Sequence, residues 1–247
     1  MNVNMKIRVF MKTAINAVFG LIGFEVQKKG KRPFMQQGLL WLSRNGFDVK
    51  TVLDVGASNG SWSKLCAKGY PTAEYVLFEP QPVHESALSY LAIEKSFKMQ
   101  VVKKAVGLSS GVTYFDVTDP FGGALCGENE AGTIAVEMTT IDEAVAELSL
   151  SGPFLLKLDT HGFEKGILDG AAKTLSSCNA LVIEAYNYRI ASGAMLFFEL
   201  CNYMAERGFR PVDIVDVLHR PHDHSLWQMD IVFVRGDWAG FGYVRFS

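Results

Sequence analysis

TVLDVGASNG, residues 51–60, and its echo YVLFEP, residues 75–80, decide the reading of this chain. Val52, Leu53 and Val55 make a short run of strand-forming residues, which Gly56, Asn59 and Gly60 then punctuate. Trp62, Leu65 and Cys66 follow at helical spacing, and a second apolar run ends in Glu79. Strand, glycine turn, helix and acid-tipped strand together outline a nucleotide-binding half-site. Glycines let the backbone approach a ligand closely. An acid about 20 residues further on is placed to accept hydrogen bonds from two ribose hydroxyls.

A dinucleotide site wants G-x-G-x-x-G, so that a pyrophosphate can rest on helix N–H groups. Here Gly56 is followed by Ala57-Ser58-Asn59-Gly60, and the middle glycine is missing. Asp54 sits at the turn, where its charge repels a pyrophosphate and attracts an amino group. A ligand with ribose hydroxyls, a cationic amino acid and no phosphate suits that pattern, and S-adenosylmethionine answers the description.

A chain of 247 residues, nearly half of them apolar and a fifth charged, has the profile of a globular α/β domain, alone or with a helical appendage. Its four cysteines are scattered without a C-x-x-C pair. This favours a reducing, cytoplasmic setting and argues against zinc held by thiolates. Charge is unevenly spread. Residues 1–50 hold nine basic side chains against two acids, a local charge of +7 that leaves −9 for the rest of a chain of net charge −2. Nucleic acid is therefore a poor partner, because the body that carries the site is acidic. Residues 5–21 are apolar with Lys6, Arg8 and Lys12 interspersed. They read as a basic amphipathic helix, too short and charged to span a bilayer, which packs on the core, lies peripherally on a membrane or joins two copies of the chain. Residues 1–45 are taken as an N-terminal helical extension and 46–247 as the catalytic-type domain.

Further along, residues 34–45 read as a helix stopped by Gly46, and Pro82 starts one that runs to about residue 97. Residues 100–107 read as a third strand, 112–117 and 134–141 as an antiparallel pair around a mobile glycine-rich loop at 119–133, and 142–150 as a helix capped by Asp142. Residues 153–159 and 180–186 are strands bearing Asp159 and Glu184, with a helix at 163–175 between them and another at 194–207 after them. The last strands, 210–218 and 226–235, are joined by HRPHDHS, too short for a crossover helix, so they must run antiparallel. The expectation is a doubly wound, mainly parallel seven-stranded α/β sheet ending in an antiparallel hairpin, the Rossmann-like layout of class I methyltransferases.

The segments VLDVGASNG, LFEP, KKAVG, EMTTID, LLKLDTHGFEKGILDGA and LVIEAY, in that order, resemble the FkbM-type S-adenosylmethionine-dependent methyltransferases. The resemblance covers about residues 51–234 and leaves 1–45 outside. It implies a cofactor held by Asp54, Gly56, Ala57, Asn59 and Gly60 of the turn, by Glu79 and Pro80, and beside Ala105. It also implies methylation of hydroxyls on sugars, glycans or secondary metabolites. At His161 the family segment more often carries Gln or Glu.

A sulfonium methyl is already activated, so transfer mainly requires alignment of the acceptor oxygen. A hydroxyl acceptor gains from a general base or a divalent cation. Asp159 and His161 are the candidate catalytic residues, since open α/β sheets bind ligands at the carboxyl ends of their strands and an imidazole titrates near neutrality. Asp159 reads equally as base, metal ligand or cofactor neighbour, and His161 as base, passive hydrogen-bonded histidine or metal ligand. A divalent cation would fit this chemistry, but no ligand pattern in the sequence indicates one. His222 and His224 lack further ligands and read as a solvated loop. Tyr186, Tyr188, Arg189 and Trp227 either shape an acceptor pocket or pack in the core. Buried in its strand, Lys157 must find an acid. A nicotinamide oxidoreductase and a catalytically silent binding module on the same fold stand as the alternatives.

Overall fold

The computed structural model describes residues 34–94, 97–119, 123, 125–126 and 132–246. The helix expected at 5–21 lies outside the described residues, as does most of the loop expected at 119–133. Strands β1 (Thr51–Val55), β2 (Glu74–Phe78), β3 (Lys98–Val102), β8 (Phe154–Leu158), β9 (Cys178–Tyr186), β10 (Phe209–His219) and β11 (Leu226–Arg235) form one sheet in the order β10-β11-β9-β8-β1-β2-β3. Pairing is parallel from β9 through β8, β1 and β2 to β3, and antiparallel where β11 meets β9 and β10. This is the expected doubly wound class I methyltransferase sheet with its closing hairpin.

β1 and β8 are buried at every position because helices cover both faces, which is why they read as unbroken apolar runs. Alternation along the strands splits the core in two. Val52, Tyr75, Leu77, Leu155, Val182 and Val232 face helix α1 (Met35–Arg44), while Leu53, Val55, Phe78, Leu156, Leu158 and Ile183 face the opposite layer. α1 comes close to the sheet at Gly38, where a Cβ would lie 3.3 Å from Val215, and Gly46 ends it with φ 78°.

Helix α2 (Ser61–Cys66) follows β1, and a single 3-10 turn at Pro82–His84 leads into α3 (Glu85–Glu94), so the segment begun by Pro82 is not one continuous helix. The strand expected at 100–107 is two. After β3 the charged pair Lys103-Lys104 carries the chain out of the main sheet, and β4 (Ala105–Val106) joins a second sheet, β4-β7-β5-β6. There β5 (Gly111–Asp116) pairs antiparallel with β7 (Thr133–Thr139), as expected. β6 (Leu125–Cys126), within the segment expected to be loop, adds to the edge of β5.

Asp142 does not cap its own helix. Thr140 accepts from the Glu143 N–H to begin α4 (Ile141–Glu147), and Asp142 instead accepts from the N–H groups of Lys173 and Thr174. It thereby caps the short α6 (Ala172–Leu175) from a neighbouring helix. The helix expected at 163–175 is broken into α5 (Glu164–Asp169) and α6, because the chain turns at Gly170, where a Cβ would lie 2.4 Å from the Gly107 carbonyl oxygen. α7 (Phe197–Glu206) completes the layer and is followed by Gly208 at φ 79°. Among the described residues no helix is long and apolar enough to cross a membrane.

Candidate functional site

The carboxyl ends of β1, β2 and β8 open onto a cavity of about 300 Å³. The turn after β1 is stitched to the strand beside it. The N–H groups of Gly56 and Ala57 both donate to the Phe78 carbonyl, and Gly60 donates to Ala57. Gly56 has φ 73°, and a Cβ there would stand 2.0 Å from the Asp159 carbonyl oxygen. Only glycine lets this backbone pass under β8.

Glu79 leaves the end of β2 and turns into the cavity wall. Its Oε2 accepts from the Ser58 N–H at 2.7 Å and its Oε1 from the Gln81 N–H at 2.8 Å, so the carboxylate is locked in place by the two segments it joins. Burial raises its pKa against the opposing pull of those amides and of His84.

Of the sequence-predicted residues, Gly56, Ala57, Asn59, Glu79, Pro80, Ala105, Asp159 and His161 all line the cavity. Asp54 and Gly60 are not on its wall. Gly60 begins α2 at φ 76°, packed toward Leu91. Asp54 lies behind the turn, fully buried, because the β1–β8 register sets it directly opposite Lys157. Lys157 Nζ is 3.3 Å from Asp54 Oδ1 and 3.1 Å from Asp159 Oδ2, and it donates to the Gly56 carbonyl at 3.0 Å. Ser63 Oγ donates to the other oxygen of Asp54 at 2.6 Å. One buried lysine therefore ties the glycine turn, β1 and the end of β8 together. Burial alone would favour neutral Lys157, but the two carboxylates outweigh it and raise its pKa.

At the cavity's edge Asp159 meets His161 and Glu184. His161 Nε2 is 3.6 Å from Asp159 Oδ1 and 3.6 Å from Glu184 Oε2. His161 has the left-handed backbone (φ 53°), and its Nε2 faces both carboxylates. Burial, followed by the charge of Asp159, pushes Glu184 up to about 9. Burial also acts to raise Asp159, but Lys157 and His161 hold it below the ordinary carboxylate range. Two neighbouring acids are thus driven apart in proton affinity. From this cluster an aromatic row runs outward. Tyr186 lies 6.4 Å from the His161 ring, Trp227 lies 5.9 Å from Tyr186, and Tyr188 lies 5.2 Å from Trp227, with Arg220 stacked over Tyr188 at 4.5 Å. His222 and His224 are exposed at the hairpin tip. Arg189 turns away, to Glu199 and the Ala194 carbonyl.

Asp230, the register partner of Glu184 on β11, is pushed up to about 7 by burial and by the charge of Asp159. An acid with a raised folded pKa stabilises the fold below its unfolded pKa and loses that contribution as pH rises through the folded value. The window here runs from roughly pH 4 to 7. Asp230→Asn should therefore gain on the parent between pH 5 and pH 8, by on the order of 1 kcal/mol. Urea midpoints at both pH values measure it, and a difference that does not change with pH would contradict the assignment.

Sequence reasoning missed Ser58, Trp62, Gln81, Lys104, Phe115, Gly123, Thr160 and Phe163, which also line the cavity. Gln81 and Trp62 adjoin the motifs that were read. Phe115 arrives from β5 of the second sheet and Gly123 from just before β6, with no local signal.

The methyltransferase FkbM domain pattern matches residues 54–211. The chain belongs to the FkbM methyltransferase family. Its similarity to solved structures is looser. Methyltransferase FkbM from Methylobacillus flagellatus KT shares 16% identity at a TM-score of 0.49, over 74% of this chain and 43% of its own length. Precorrin-6y C5,15-methyltransferase from Geobacter metallireducens GS-15 shares 12% at 0.47, over 81% of this chain and 86% of its own. For the 1,6-didemethyltoxoflavin-N1-methyltransferase of Burkholderia thailandensis, solved with S-adenosylhomocysteine, the values are 14% and 0.46, over 82% and 78%. No match is found among curated proteins. This FkbM-family chain spans less than half the length of the Methylobacillus protein.

Proposed function

We propose that this protein transfers a methyl group from S-adenosylmethionine to a hydroxyl of a sugar, glycan or secondary metabolite. The observation that carries the reading is the meeting of Asp159, His161 and Glu184 at the cavity's edge, beside the wall that Glu79 closes. The wall suits the cofactor. Glu79 would take the ribose hydroxyls, and Phe78, Ala105, Val106 and Phe115 give the apolar surfaces that an adenine ring needs. Trp62 Nε1 is buried in that wall and has no hydrogen-bond partner among the described residues, a donor suited to a bound acceptor.

When bound, the cofactor supplies a methyl on cationic sulfur; the acceptor oxygen forms the new O–C bond, the C–S bond breaks to leave a neutral thioether, and the hydroxyl proton departs. The protein's part is to hold that oxygen in line and relieve the proton. Ionised Asp159 and the His161 ring offer two acceptors toward the hydroxyl, and Lys157 fixes Asp159 from behind. Half-buried Trp227 and Tyr188, which lie beyond buried Tyr186, offer stacking faces for a sugar ring.

Methyl-labelled S-adenosylmethionine, incubated with the full chain and a panel of hydroxylated, carboxylated and amine acceptors, tests this. Label is expected in an alkali-stable methyl ether. Label confined to amines, or lost to mild alkali as an ester, would overturn it.

A further inference from the structure

We infer that Asp159, His161 and Glu184 form a site for one divalent first-row metal ion, with a position left open toward the acceptor hydroxyl. One ligand atom from each of these residues lies within 4.8 Å of the others. His161 Nε2 stands 3.6 Å from each carboxylate, too far for a direct hydrogen bond, so the imidazole faces both acids without closing on either. Asp159 and Glu184 meet each other directly, through a hydrogen-bonding proton that a metal ion would displace.

Each side chain is also held from behind by its other polar atom. Asp159 Oδ2 is held by Lys157 Nζ at 3.1 Å, and Glu184 Oε1 accepts from Gln228 Nε2 at 2.5 Å. Glu184 Oε2 also accepts from the Tyr186 hydroxyl at 2.6 Å. The His161 Nδ1 atom lies 3.4 Å from the Gly123 carbonyl oxygen, which suits the tautomer that leaves Nε2 free to ligate. A ring N–H on a backbone carbonyl and outer partners on ligating carboxylates are the supports that orient metal ligands.

One imidazole and two carboxylates favour Mn²⁺ or Zn²⁺ over Mg²⁺ or Ca²⁺. The binding claim stands by itself; the ion's role rests on the proposed hydroxyl methylation. There it would lower the pKa of the coordinated hydroxyl, whose proton passes to water as the O–C bond forms, and Asp159 and His161 would act through it.

The test is to titrate the full chain, stripped with a chelator, with Mn²⁺ and separately with S-adenosylhomocysteine. One Mn²⁺ per chain is expected, displaced by Zn²⁺, with electron-spin-echo modulation from a single imidazole nitrogen. His161→Asn, which tolerates the left-handed backbone, and Glu184→Gln should each weaken Mn²⁺ at least about tenfold. The absence of saturable Mn²⁺ binding, or of the nitrogen signature, overturns the site. So does unchanged affinity in both variants. If S-adenosylhomocysteine still binds in those cases, the methyl-transfer reading survives. If the parent binds no S-adenosylhomocysteine, that reading fails whatever Mn²⁺ does.

Discussion

Lys157→Met should leave the fold about 3–5 kcal/mol less stable, read as a fall in the urea midpoint. The substitution keeps roughly the length of the side chain but strands Asp54, which is fully buried and whose remaining side-chain partner among the described residues is Ser63. An isolated buried carboxylate must either stay charged without a partner or take up a proton, and both are unfavourable. Asp159 would lose the charge that holds its pKa down, and the Gly56 carbonyl would lose its donor. Asp54→Leu in the same chain should recover a large part of the loss, since an apolar pair replaces a buried ion pair at little or no net cost. A Lys157→Met protein as stable as its parent would mean that the lysine is not the tie it is described to be.

The second large effect falls on the ligand. Glu79→Ala should weaken S-adenosylhomocysteine by about 100-fold or more, because two hydrogen bonds to a charged acceptor contribute roughly 1.5–3 kcal/mol each. Part of the loss would be indirect, since the same carboxylate positions the Ser58 and Gln81 amides. Glu79→Gln keeps the shape but loses the charge and one amide acceptor, so its affinity should lie between those of parent and Ala variant. Equal affinity in all three proteins would move the cofactor away from this wall.

The half-site was legible because its signals are local. A strand of Val and Leu, a glycine that must pass beneath a carbonyl, and an acid at the end of the next strand all fall within residues 51–80. The closing hairpin was legible because seven residues cannot hold a crossover helix. The pairing of Asp54 with Lys157 was not, because it depends on a parallel register with a strand about a hundred residues away. The break at Gly170 depends on the Gly107 backbone, and the cap on α6 comes from Asp142 in another helix. At the site, Asp159 and His161 could be named from one motif. Their meeting with Glu184 depends on β8 and β9 lying side by side and on the left-handed turn at His161.

What the cavity binds decides between methyl transfer and its alternatives. Calorimetric titration of the purified chain with S-adenosylmethionine, S-adenosylhomocysteine and NAD decides it. Saturable binding of both sulfur ligands at one site per chain is expected, and none of NAD. Binding of NAD, or silence toward both sulfur ligands, would contradict it.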